Sequence, residues 1–163
     1  MNETTAEVTV LGLCDAEKGT AGMAAQYGEI LAGGRAVLQG CARCGAAAFP
    51  PRLRCRSCSS DDLQWWDAGD TAKVTSWARV ALNGPTETAS VPRRVGKDGP
   101  YTTVVVQPES FADVRLLCLL VTADGGIEHD AVPTSNDRVT VRTASLGGSM
   151  VPVCSLGPNE DPR

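Results

Sequence analysis

Residues 41–58 read CARCGAAAFPPRLRCRSC, two Cys-x-x-Cys pairs, Cys41 with Cys44 and Cys55 with Cys58, ten residues apart. Two thiols three positions apart on a tight turn can reach one ion. Two such knuckles supply four sulfurs in the tetrahedral set that zinc takes, with bonds of ~2.3 Å. Gly45 follows Cys44, where such a turn asks for an unusual backbone angle. The stretch is dense in Cys, Gly, Pro and Arg and has neither a helical nor a strand period. A unit this small and this poor in apolar residues needs outside help to fold, and a bound zinc contributes ~10–16 kcal/mol at neutral pH. The spacing therefore predicts one structural Zn2+ per chain on Cys41, Cys44, Cys55 and Cys58. An iron centre of the same geometry and a dithiol redox pair are the rival readings. Four thiolates leave no coordination position for water, so the expected role is structural rather than hydrolytic.

The rest of the 163 residues sets bounds on this unit. Hydrophobic residues make up 42% and charged residues 21%, enough for one domain or two small modules with a shared core. No apolar run approaches the ~20 residues of a membrane-spanning helix, and residues 1–9 lack the basic start and apolar stretch of an export signal. A cytoplasmic location without membrane attachment is the expectation. Seven cysteines are an odd number, which excludes a complete intramolecular disulfide framework. The net charge of −4 and the few aromatic residues argue against a dedicated nucleic-acid binder, which would carry a surplus of Lys and Arg. Gly 17 and Pro 10 suit short strands joined by turns.

Along the chain, residues 1–20 have no sustained period and are expected to be a flexible arm, although Val8, Val10 and Leu11 could pair briefly. Met23, Ala24, Tyr27, Ile30 and Leu31 recur at helical spacing and predict a helix over 21–31, stopped by Gly33-Gly34. A lead-in strand follows over 35–39. Residues 73–82 alternate, with Val74, Ser76, Ala78 and Val80 on one face and Trp77 on the other. Further strands are expected over 101–107, 114–122, 127–132, 137–144 and 149–156, with a hairpin turn at Asp124-Gly125-Gly126. The predicted organisation is an arm (1–20), a helix and lead-in strand (21–38), a zinc ribbon (39–66), a five-stranded Greek-key barrel of the OB type (67–157) and a frayed tail (158–163). The fold class is mainly β.

Arg52 and Arg54, with Arg43 and Arg56, ring the cysteines, and Arg93, Arg94 and Lys97 form a second basic group on a long loop. A solvated rim accounts for either group; so does contact with coenzyme A phosphates or with an acidic partner. Trp65 and Trp66 are adjacent, so alternation puts them on opposite sides of an extended chain. One is expected between ribbon and barrel, and the other, with Phe49, at a partner interface. The catalytic inventory is thin. His129 is the single histidine, Cys118 lies in an apolar run, and Cys14 and Cys154 have no activating neighbour in sequence. No phosphate-binding glycine loop or nucleophile elbow is present.

Taken together, the cysteine spacing, Phe49-Pro50-Pro51-Arg52, the step Asp62-Leu63-x-Trp65, the turn at Gly69 and the strand from Val74 to Val80 resemble a bacterial and archaeal family. It joins a rubredoxin-like zinc ribbon to an OB-fold. The resemblance spans residues 21–157, with two departures: the leading helix has no tryptophan, and residues 1–20 have no counterpart. It implies a non-catalytic accessory subunit of a thiolase-superfamily enzyme (a thiolase, a side-chain aldolase or an acyltransferase) in a hetero-oligomer such as α2β2. The partner would carry the nucleophile, and a coenzyme A thioester would be bound jointly. Two other classes stand beside this one. A single-stranded nucleic-acid-binding module would use stacking aromatics and a basic groove. A barrel that itself transfers acyl groups would use Cys14 or Cys154.

Overall fold

The computed structural model describes residues 8–15, 19–81, 100–146 and 148–157. A four-stranded antiparallel sheet takes the order β1 (Val10–Leu13), β4 (Leu63–Asp67), β2 (Val37–Cys41), β3 (Ala47–Ala48). Helix α1 (Gly19–Leu31) covers one face of it. The barrel closes in the order β5 (Thr71–Val80), β6 (Tyr101–Pro108), β7 (Leu116–Leu120), β9 (Ser149–Leu156), β8 (Arg138–Leu146). All neighbours are antiparallel except β7 and β9, which run parallel through Leu119–Val153 and Leu120–Cys154. A five-stranded closed Greek key with one parallel pair is the strand plan of an OB-fold, and the mainly β class follows.

Strand β2 is buried along its whole length, and its two faces serve different cores. Val37 and Cys41 pack with Leu63, Trp65, Met23 and Leu31 under α1. Leu38 packs with Trp66 and the barrel residues Val74, Val106, Leu116 and Cys154. Period-two alternation thus splits β2 and β4 between a helix side and a barrel side, and the sheet shares its second core with the barrel. Trp66 is the largest piece of that seam, 6.2 Å from Phe111 in a stacked arrangement. The helix is tied to the barrel by the Thr143 hydroxyl, which donates to the Leu31 carbonyl at 2.8 Å. Its end is set by Gly34 at φ 85°, whose N–H also donates to Leu31.

Several expectations change. Within the arm expected to be flexible, Val10–Leu13 is a strand paired to β4, with a bulge between Val10 and Gly12; the unpaired edge of β4 gives this short segment its bonding partner. The helix begins two residues earlier than expected. Alternation along β5 holds for Ala72 and Val74 but is broken by a bulge between Val74 and Ser76. Beyond it Ser76 and Ala78 are exposed, and Trp77 is 40% exposed. The 127–132 segment is a single bridge, Val121 to Ile127, rather than a strand. Among the described residues, no helix is long and apolar enough to cross a membrane.

Candidate metal centre

Each knuckle is a closed turn built the same way. In the first, the Gly45 N–H donates to the Cys41 carbonyl at 2.9 Å and the Cys41 N–H to Ala46 at 2.9 Å. In the second, Ser59 donates to Cys55 at 3.0 Å and Cys55 to Ser60 at 2.8 Å. The equivalent corner residues, Gly45 and Ser59, both have left-handed angles, φ 73° and 60°. Glycine takes this conformation freely; serine does so at a cost.

These turns bring all four sulfurs within 4.8 Å of one another. The cross-knuckle pairs Cys41–Cys58 and Cys44–Cys55 stand at 3.6 Å. Four sulfurs ~2.3 Å from a central zinc would lie ~3.8 Å apart, so the donor set fits one tetrahedral ion. The electrostatics agree. Backbone N–H groups of Cys58 and Ser57 favour the Cys55 thiolate and lower its pKa to about 6. The Ala46 amide likewise favours the Cys44 thiolate. Its neighbouring thiols, Cys58 first, together with desolvation outweigh that effect and raise its pKa to about 12. Four thiols this close cannot all ionise without a cation among them.

Gln39 braces the ribbon. It is 2% exposed in the middle of β2. Its side-chain amide donates to the Arg52 carbonyl at 2.8 Å while its Oε1 accepts from the Arg52 N–H at 2.9 Å. The same Nε2 lies 3.6 Å from the sulfurs of Cys14 and Met23. The signal for this residue was present in the sequence: Gln39 shares a strand face with Val37 and Cys41, so a polar group had to be buried there and satisfied.

The remaining expected site residues separate. Arg54 is exposed and donates to the Ser59 carbonyl at 3.2 Å; Arg52 is half-buried. Arg93, Arg94 and Lys97 lie outside the described residues. Trp66 takes the place expected between ribbon and barrel. Trp65 is 0% exposed under α1, with Tyr27 at 5.7 Å. Neither indole is at the surface, which corrects the expectation of an interface tryptophan: α1 closes over the face that alternation alone left open. Phe49 is half-buried, packed against Tyr27 at 6.1 Å and against the barrel-side core. Cys14 is buried, with its pKa raised to about 11 by desolvation, partly offset by Gln39. Cys118 and Cys154 are buried in the barrel.

Residues 29–64 match the family described as ChsH2, rubredoxin-like zinc ribbon domain. The chain is thus similar to that family over the ribbon and the residues that lead into it. Among solved structures, it is similar to a chain of the Ltp2-ChsH2(DUF35) aldolase at 25% identity and a TM-score of 0.61, over 81% of this chain and 92% of that one. A DUF35-family protein of unknown function from Sulfolobus solfataricus matches at 18% identity and a TM-score of 0.48, over 76% and 78% of the two chains. None of the curated proteins matches this chain in sequence.

Proposed function

We propose that this chain is a non-catalytic accessory subunit that binds a thiolase-superfamily enzyme acting on an acyl-CoA, in a hetero-oligomer such as α2β2. The observation that carries the reading is the likeness to a chain of the Ltp2-ChsH2(DUF35) aldolase over most of both lengths. The four-sulfur centre supports it, because a closed zinc site stiffens a surface without offering a reaction position. In this role Cys41, Cys44, Cys55 and Cys58 hold the zinc that fixes the ribbon. Arg52 and Arg54, joined by Arg93, Arg94 and Lys97, meet the partner or the phosphates of coenzyme A. The partner supplies the nucleophile for thiolysis, condensation, retro-aldol cleavage or acyl transfer, and this chain stabilises it and helps shape the acyl-CoA channel.

The test is co-expression with a thiolase-superfamily chain from the same source. The two are expected to elute together, and the partner alone to lose activity or solubility. A partner that is fully active and stable by itself would overturn the proposal.

A further inference from the structure

Residues 41–60 contain four arginines and no carboxylate, in a chain whose net charge is −4. Outside the ribbon, every described arginine is engaged. Arg35 pairs with Asp67 and Arg138 with Glu109. Arg79, Arg115 and Arg142 donate to backbone carbonyls. Within the ribbon only Arg54 is engaged; among the described residues the guanidinium groups of Arg43, Arg52 and Arg56 have no hydrogen-bond or ion-pair partner. Zinc held by four thiolates carries a net charge of about −2, so four arginines more than balance it and the tip stays cationic. Leu53, 37% exposed, lies between Arg52 and Arg54, and Pro50 is exposed nearby. The paired bonds from Gln39 hold the backbone of Arg52 in place.

We infer that the ribbon tip, Arg43, Arg52, Arg54 and Arg56 around Leu53, is the surface that docks on a carboxylate-rich face of the partner protein. This rests on the accessory-subunit reading and names the surface and its chemistry. Charge complementarity selects the occupant: unpaired guanidinium forks match carboxylates, and a preorganised backbone lowers the cost of ordering them. A phosphate fits the arrangement less well. Arg54 and Arg56 line a cavity of about 190 Å³, but Arg43 and Arg52 do not, and a phosphate would leave Leu53 unused. An apolar residue ringed by arginines is instead the make-up of a protein–protein hot spot.

The experiment uses the zinc-loaded full chain and measures its affinity for the thiolase-superfamily subunit at several salt concentrations. Arg43→Glu and Arg56→Glu are each expected to weaken binding about fivefold or more and to flatten its salt dependence. Lys73→Glu, an equal charge change on the barrel, should stay within about twofold. Zinc content reports folding, and Arg43→Gln with Arg56→Gln replaces any variant that loses its metal. Affinity unchanged in the ribbon variants, or reduced equally by Lys73→Glu, overturns the surface.

If the wild-type chain binds no such subunit, the accessory reading fails and the surface is tested alone with poly-L-glutamate. Retention by the wild type and loss in the ribbon variants upholds it. No retention, equal retention by the variants, or displacement by coenzyme A at equal concentration overturns it.

Discussion

A methyl group at Gly40 would stand 2.0 Å from Cδ2 and Cε2 of the Trp66 indole, which lies flat on the glycine. Trp66 is wedged against Phe111 and has nowhere to retreat, so Gly40→Ala is expected to cost about 2–3 kcal/mol or more, read as a lower midpoint in urea. Gln39→Leu removes both partners of the Arg52 peptide and should cost about 1–3 kcal/mol for each buried group left unpaired, with zinc still bound at neutral pH. Cys14 gives a pH signature. Its folded pKa is raised from 9.0 to about 11, so the folded state keeps its proton where the unfolded chain has lost it. The contribution is fully present below pH 9 and lost as pH rises through 11. Stability should therefore fall over that window in the wild type and fall less in Cys14→Ala. The sequence left Cys14 in an arm expected to be flexible; its burial comes from β1 joining a sheet whose other members lie far along the chain.

At the scale of elements, the two knuckles differ mainly in one corner residue. Gly45→Ala puts a side chain at φ 73° and is expected to cost about 1–2 kcal/mol, whereas Ser59→Gly relieves the matching corner and should raise stability by up to about 1 kcal/mol. Denaturant titration of the zinc-loaded chain distinguishes the two signs. The ribbon was legible because metal chemistry fixes cysteine spacing, β6 because Thr102 to Val106 is an unbroken β-branched run, and β8 and β9 because two strand-like segments flank Gly147-Gly148. The bulge at Thr75 was not legible, since nothing in the VTSW run of Val74 to Trp77 marks an extra residue; the register against β6 imposes it. Strand β1 was illegible for a related reason: VLGL becomes a strand only where β4 has an edge to offer.

For the molecule as a whole, the ribbon and the barrel do not make separate cores. Leu38, Trp66 and Ala68 belong to the cluster that fills the barrel with Val104, Val106 and Leu120. The metal's ~10–16 kcal/mol is comparable with the whole stability of a domain, ~5–15 kcal/mol. Removing zinc with a chelator is therefore expected to loosen the barrel along with the ribbon. Tryptophan fluorescence should shift to the red as Trp65 and Trp66 meet water, and one cooperative thermal transition should broaden. A barrel melting unchanged after chelation would contradict the shared core.

Strand β2 has no solvent side at all, and that leaves it no tolerance for a slip. A single residue inserted between 37 and 41 would exchange what lies above and below from that point on: the Gln39 amide would be pressed into the oily interior of the barrel, and a ligand sulfur would turn away from its ion. Five residues thus fix the frame in which both halves of the molecule are read, and deletions in this short span should be the least forgiving anywhere in the chain.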